Sequence, residues 1–191
     1  VRRVAVYGSV VVVALLVSGA VWAAGLGPRM LVPQGVPDDV SDLVDRTWPA
    51  FLDAFPARHE CIGDVTLLLV FEVEGGAASY RPDEATIRIE IPTTPERFEE
   101  SLAHELGHHL EHRCSVLPEI GAEFLSGQEI DADAEWFERD PWFESPTEHF
   151  AEAVVQVVLG ERRIHADRIT LSPEAVATVR EWGLQFGNPA G

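Results

Sequence analysis

Apolar and polar positions divide this chain into stretches of different period. Residues 4–26 carry no charge and are mostly Val, Ala, Leu and Gly. A run of about twenty such residues is long enough to cross a bilayer. Arg2 and Arg3 precede it, which predicts a cytoplasmic N-terminus, and the small residues around Ala23 and Ala24 suit a cleavage site. Residues 1–26 therefore read either as a cleaved signal peptide or as a signal anchor that is kept. The Gly- and Pro-rich stretch 27–37 reads as a linker, and residues 38–191 as one folded domain outside the membrane. Its first helix opens at Asp38 or Asp39 and runs to about Ala54. Val40, Leu43, Val44 and Phe51 form its apolar face, and Pro49 is expected to kink it.

Two strand patterns follow. Residues 65–73 (V-T-L-L-L-V-F-E-V) are nearly all apolar, which predicts a central strand buried on both faces. Residues 85–91 alternate, with Ile87, Ile89 and Ile91 on one side and Thr86, Arg88 and Glu90 on the other, as in a half-exposed and possible edge strand. Thr94 then stands as an N-cap with Pro95 at the first helical position. Phe98, Leu102, Leu106 and Leu110 recur every four residues, marking a helix that continues to Arg113. A short helix is expected near 119–125, then an acidic loop over 128–140. The aromatics Trp136, Phe137, Trp142 and Phe143 read as core beneath that loop rather than as a substrate shelf. Another helix runs from Ser145 to Gly160, and a last one from Ser172, with Pro173 at its first position, to about Leu184. Strands gathered early and helices late imply an α+β domain with a small sheet.

The chain has 191 residues, 46 % of them hydrophobic, enough for one core. Its 32 acidic and 14 basic residues give a net charge of −18. Such a surface repels phosphate backbones and anionic headgroups, so no nucleic-acid partner is expected and membrane contact is limited to the N-terminal segment. The domain is expected to be monomeric. Cys61 and Cys114 are the only cysteines, and in an exported protein an even pair reads first as a disulfide.

The candidate chemistry lies on the helix that starts at Thr94, in the sequence H-E-L-G-H from His104 to His108. Residues four apart on a helix share a face and stand about 6 Å apart along the axis. Two imidazoles so placed can each give a nitrogen to one Zn²⁺. Glu105 follows the first imidazole and stands where a general base can take a proton from an activated water. The competing reading is a surface histidine cluster; the cap, the apolar stripe and the small Ala103 and Gly107, suited to close packing on a sheet, favour a metal helix.

A catalytic zinc takes three protein ligands and keeps a position open. The long metzincin pattern fails, because Glu111 and Cys114 hold the places of its Gly and third His. His109 faces away and His112 lies one turn too far along. Glu148 and Glu152, four apart on the next long helix, are the better source. H-E-L-G-H followed some forty residues later by E-H-F-A-E resembles the gluzincin class of zinc metallopeptidases, and T-E-H-F-A-E-A is most similar to its lethal-factor and Pro-Pro-endopeptidase-like branch. The resemblance implies a zincin-like fold, Glu148 as third ligand, Glu152 orienting a zinc histidine, Glu105 as catalytic base, and a peptide or protein as substrate. A capping box of Ser145 and Glu148 is the alternative use of that Glu. One departure stands out: members of the branch carry a Tyr seven residues before the third ligand, where this chain has Pro141. Tyr80, His149 and His165 are the substitutes considered for stabilising an oxyanion. The expected function is an exported zinc endopeptidase, the alternative a zincin-fold domain that binds metal or a partner without turnover.

Overall fold

The computed structural model describes residues 27–74, 76–137, 141–162 and 168–186. Both readings of residues 1–26, and His165, lie outside them. Among the described residues no helix is long and apolar enough to cross a membrane. The domain is α+β. Its strands are β1 (Met30–Leu31), β2 (Val65–Val70), β3 (Ala78–Arg81) and β4 (Thr86–Glu90), and its helices α1 (Asp38–Ala54), α2 (His59–Ile62), α3 (Pro95–Arg113), α4 (Val116–Gly127), α5 (Pro146–Leu159) and α6 (Pro173–Leu184). The sheet order is β1-β2-β4-β3. β1, β2 and β4 are parallel, while β3 runs antiparallel to β4 with Tyr80 opposite Ile87.

Two strand expectations are corrected. The 65–73 run ends as a strand at Val70, and Phe71 stands 87 % exposed. It is central, but only one face is buried: Leu67 joins Ile87 and Ile89 in the core, while Leu68 is 37 % exposed. A continuous apolar run cannot say whether helices cover one face of a sheet or two. The alternating strand, β4, is interior and not an edge. The edge beside it is β3, whose A-S-Y-R has no alternation to betray it and which forms by pairing with β4.

The helices follow their end signals closely. Thr94 Oγ1 accepts from the Arg97 N–H at 3.3 Å and Ser172 Oγ from the Ala175 N–H at 2.9 Å. Gly160, at φ +80°, ends α5. α1 carries Pro49 inside it, and α4 starts earlier than expected, at Val116. Phe98, Leu102, Leu106 and Leu110 are all at most 1 % exposed. Together these faces make one core between sheet and helices. The Cys61–Cys114 disulfide ties α2 to the C-cap of α3.

Gly107 packs on α5 rather than on the sheet. A Cβ on Gly107 would lie 2.8 Å from Ala151 Cα, closer than real Cβ atoms come, and 3.2 Å from its Cβ, tighter than most such contacts. The backbones of α3 and α5 therefore approach as closely as they do because position 107 has no side chain. Gly107→Ala is expected to cost about 1–3 kcal/mol, as overpacked interiors do, and to weaken metal uptake by pushing α5 outward; thermal melting and metal titration check both. Replacing both cysteines by Ser should lower stability by about 4 kcal/mol in the chain-entropy account of a loop of roughly fifty residues, read from denaturant unfolding.

Candidate metal centre

His104 and His108 project from adjacent turns of α3, and Glu148 comes from the first turn of α5. One potential ligand atom from each lies within 4.8 Å of the other two. His104 Nε2 is 3.1 Å from Glu148 Oε2, and His108 Nε2 is 3.6 Å from Glu148 Oε1. A tetrahedron whose corners lie about 2.0–2.1 Å from its centre has edges of about 3.3–3.4 Å. The two histidine-to-carboxylate distances lie on either side of that edge, and the donor set, two imidazole nitrogens and a carboxylate, is one that could hold a metal ion. The cap alternative for Glu148 is not realised, because its carboxylate faces the imidazoles and the Ser145 hydroxyl makes no cap hydrogen bond.

The far side of each ring is also fixed. His104 Nδ1 is 2.9 Å from Glu152 Oε1, and Glu152 in turn meets Arg162. His108 Nδ1 is 2.9 Å from Glu111 Oε2. With both Nδ1 atoms donating to carboxylates, both Nε2 atoms are directed at the Glu148 side, where their lone pairs become available once the rings are neutral. In the sequence Glu111 serves only to exclude the metzincin pattern. Its i,i+3 spacing from His108 was the available signal. Trp136 and Thr147, which also bond Glu111, gave none.

No family model matches the chain, nor does any curated protein or solved structure. What the site can do must therefore be argued from its own atoms. A cleft of ≈ 420 Å³ opens over the cluster, lined by Glu74, Gly76 and Ala78–Tyr80 on the sheet side, by His104, Glu105 and His108 from α3, and by Trp142 and Glu148. Glu105 is buried, at 6 % exposure, yet faces this cleft. Of the aromatics expected in the core, Trp136 is there, stacked edge-on with Phe124, whereas Trp142, 43 % exposed, is part of the cleft wall.

Of the groups considered for stabilising an oxyanion, the two among the described residues, Tyr80 and His149, are otherwise engaged. His109 is fully buried, and its Nε2–H donates to the Ile62 carbonyl at 2.9 Å. Its Nδ1 therefore accepts the Tyr80 hydroxyl, also at 2.9 Å. His149 donates to the Phe143 carbonyl and accepts from the Gln128 amide. His112 is exposed and stacks on Phe137.

Burial by itself would pull the His108 pKa down, but the Glu111 and Glu148 carboxylates outweigh it and raise the group to about 9. His104 is raised on the same balance, chiefly by Glu148. Burial likewise pushes Glu148 up, and the two imidazoles overturn that, holding it well below the usual carboxylate range. His109 has no such partner, and burial lowers it to about 4. These directions set a pH profile for the metal-free protein. Between about 6.5, the unfolded His value, and about 9, the folded chain keeps protons that the unfolded chain has released, so stability falls as pH rises. Below about 6.5 the unfolded chain protonates His109 and the folded chain does not, so stability falls as pH drops towards about 4. Glu148 acts in the same sense at lower pH. The melting temperature should therefore peak at about pH 6.5, and saturating Zn²⁺, which displaces the protons of His104 and His108, should flatten the alkaline limb and steepen the acid limb, because the zinc-bound chain lacks protons that the unfolded histidines take up. A metal-free melting temperature that climbs from neutrality to pH 9 contradicts the assignment.

Proposed function

We propose that this chain is an exported zinc-dependent endopeptidase of the gluzincin type, with a zincin-like fold. The observation that carries the reading is the convergence of His104 Nε2, His108 Nε2 and the Glu148 carboxylate beneath an open cleft that Glu105 also faces. His104, His108 and Glu148 hold the ion. When bound there, zinc supplies a Lewis acid that polarises a peptide carbonyl and acidifies water. Glu105 takes the proton from the attacking water and returns it to the leaving amine. Its neighbour His104 is a ligand, so the Glu105 carboxylate reaches the reacting water without entering the ligand set.

An extended substrate is aligned by β3. Residues 85–91 cannot do this as an edge, because β4 is paired on both sides. β3 is the outer strand, and its Ala78, Ser79 and Tyr80 line the cleft, so its unpaired backbone can take a peptide by strand addition. The Cys61–Cys114 bond suits an oxidising compartment and supports placing the domain outside the cytoplasm, secreted or anchored.

The second reading, a zincin-fold domain that holds metal without turnover, is favoured by two observations: the Tyr80 hydroxyl donates to His109, and Pro141 stands where the family it resembles has a Tyr. Glu105→Gln separates the two. In the hydrolase it should reduce kcat on a peptide library by about 10²–10⁴-fold, the usual contribution of a general base, with zinc content unchanged. Stoichiometric zinc together with no cleavage by the wild-type protein would decide for the second reading.

A further inference from the structure

The Glu111 side chain is almost completely buried, at 1 % exposure, and nothing in the proposed chemistry uses it. Three hydrogen-bond donors converge on its two oxygens. Trp136 Nε1–H reaches Oε1 at 2.9 Å, the Thr147 hydroxyl reaches Oε2 at 2.6 Å, and His108 Nδ1 reaches Oε2 at 2.9 Å. His108 Nδ1 also lies 3.3 Å from Thr147 Oγ1. The backbone closes the arrangement, because the Thr147 N–H donates to the Trp136 carbonyl at 3.1 Å. Three separate parts of the chain thus meet at one carboxylate: the last turns of α3, the segment before α5, and the first turn of α5. Thr147 is also the residue immediately before Glu148.

A carboxylate accepts and cannot donate. A buried ring nitrogen that faces one carries its proton there, and His108 Nδ1 stands nearer a carboxylate than Nε2 does, 2.9 Å against 3.6 Å, so when the ring is neutral the proton stays on Nδ1 and the lone pair is on Nε2. We infer that Glu111, clamped by Trp136 and Thr147, is a positioning residue that fixes the tautomer and ring orientation of His108 so that Nε2 faces Glu148. This rests on the metal-site reading above for its purpose, though the tautomer itself does not depend on any metal. The clamp also explains why a Trp from the loop is buried: its indole N–H is matched by a carboxylate, not stranded in the core. His104 is held differently, by Glu152 on the facing helix, so the two rings have separate supports.

Glu111→Gln tests the inference with almost no change of shape. An amide offers one oxygen and one NH₂ group to three donors, and the mismatch is relieved most simply when the His108 proton moves to Nε2 so that Nδ1 accepts from the amide. In the full chain, this variant should bind Zn²⁺ about 10–100-fold more weakly by chelator competition, the usual loss when the partner of a metal-binding His is removed. In the metal-free protein, at a pH where the ring is neutral, ¹⁵N shifts of His108 should move from the Nδ1–H to the Nε2–H form. Thr147→Val keeps the shape and removes only one supporting donor; a loss of roughly three- to tenfold in Zn²⁺ affinity is expected from one such hydrogen bond. If Glu111→Gln leaves both the affinity and the tautomer as in the wild type, the inference is overturned. Should that variant not fold, an unchanged affinity in Thr147→Val overturns it instead. Failure of the wild type to take up Zn²⁺ counts against the proposed function, and the tautomer measurement then decides the role of Glu111 by itself.

Discussion

The contact between Gly107 on α3 and Ala151 on α5 is what the rest of the site depends on. His104 and His108 stand three residues before and one after Gly107. Glu148 and Glu152 stand three before and one after Ala151. The two helices therefore meet at their smallest residues and present, on either side of that contact, two imidazoles to two carboxylates. A carboxylate on a two-carbon stem has little reach, so the distances of 2.9–3.1 Å from His104 to Glu152 and Glu148 require the helix axes to be close. The missing Cβ at position 107 makes that closeness possible. Helix packing and ligand geometry are here one constraint.

The electrostatics follow from the same approach. Two rings and several acids are withdrawn from water, and each ring finds a carboxylate on both of its nitrogens. Ion clusters of this kind offer little stability over a hydrophobic core of equal volume, since desolvation consumes most of the attraction. Stability alone does not call for such a cluster, and perturbed groups gathered beside a cleft mark a candidate functional site. The pKa directions agree with it: the pair that faces Glu148 is pushed up, while His109, on the same helix but turned toward a carbonyl and a phenol, is pushed down. Position on the helix face separates a candidate ligand from a structural histidine one residue away.

The sheet serves the site from the other side. β3 is held by its pairing with β4 and by Tyr80, which meets His109 and His112 of α3, and it forms one wall of the cleft. His109 thus fastens the edge strand to the metal helix, which gives a buried histidine with no ligand role a reason to be there. It also explains why Tyr80, although it lines the cleft, has its hydroxyl pointed inward.

Local signals were enough for much of this protein. Caps at Thr94 and Ser172, a stop at Gly160 and the fourfold apolar stripe of α3 are short-range effects, settled within one or two helical turns, so the sequence alone located α1, α3, α5 and α6 and put His104 and His108 on one face. Two cysteines in a chain with an export-like N-terminus left a single pairing to consider. What folding decided were matters of relation between distant segments. Whether β2 is covered on one face or both, that β4 is interior and β3 the edge, and that Gly107 faces a helix rather than the sheet depend on which surfaces meet, and no local periodicity encodes that. The same holds for the Glu111 clamp: its i,i+3 link to His108 is written in the helix, but Trp136 and Thr147 arrive from elsewhere in the chain, brought in by the burial of apolar neighbours that carry no record of the carboxylate they enclose.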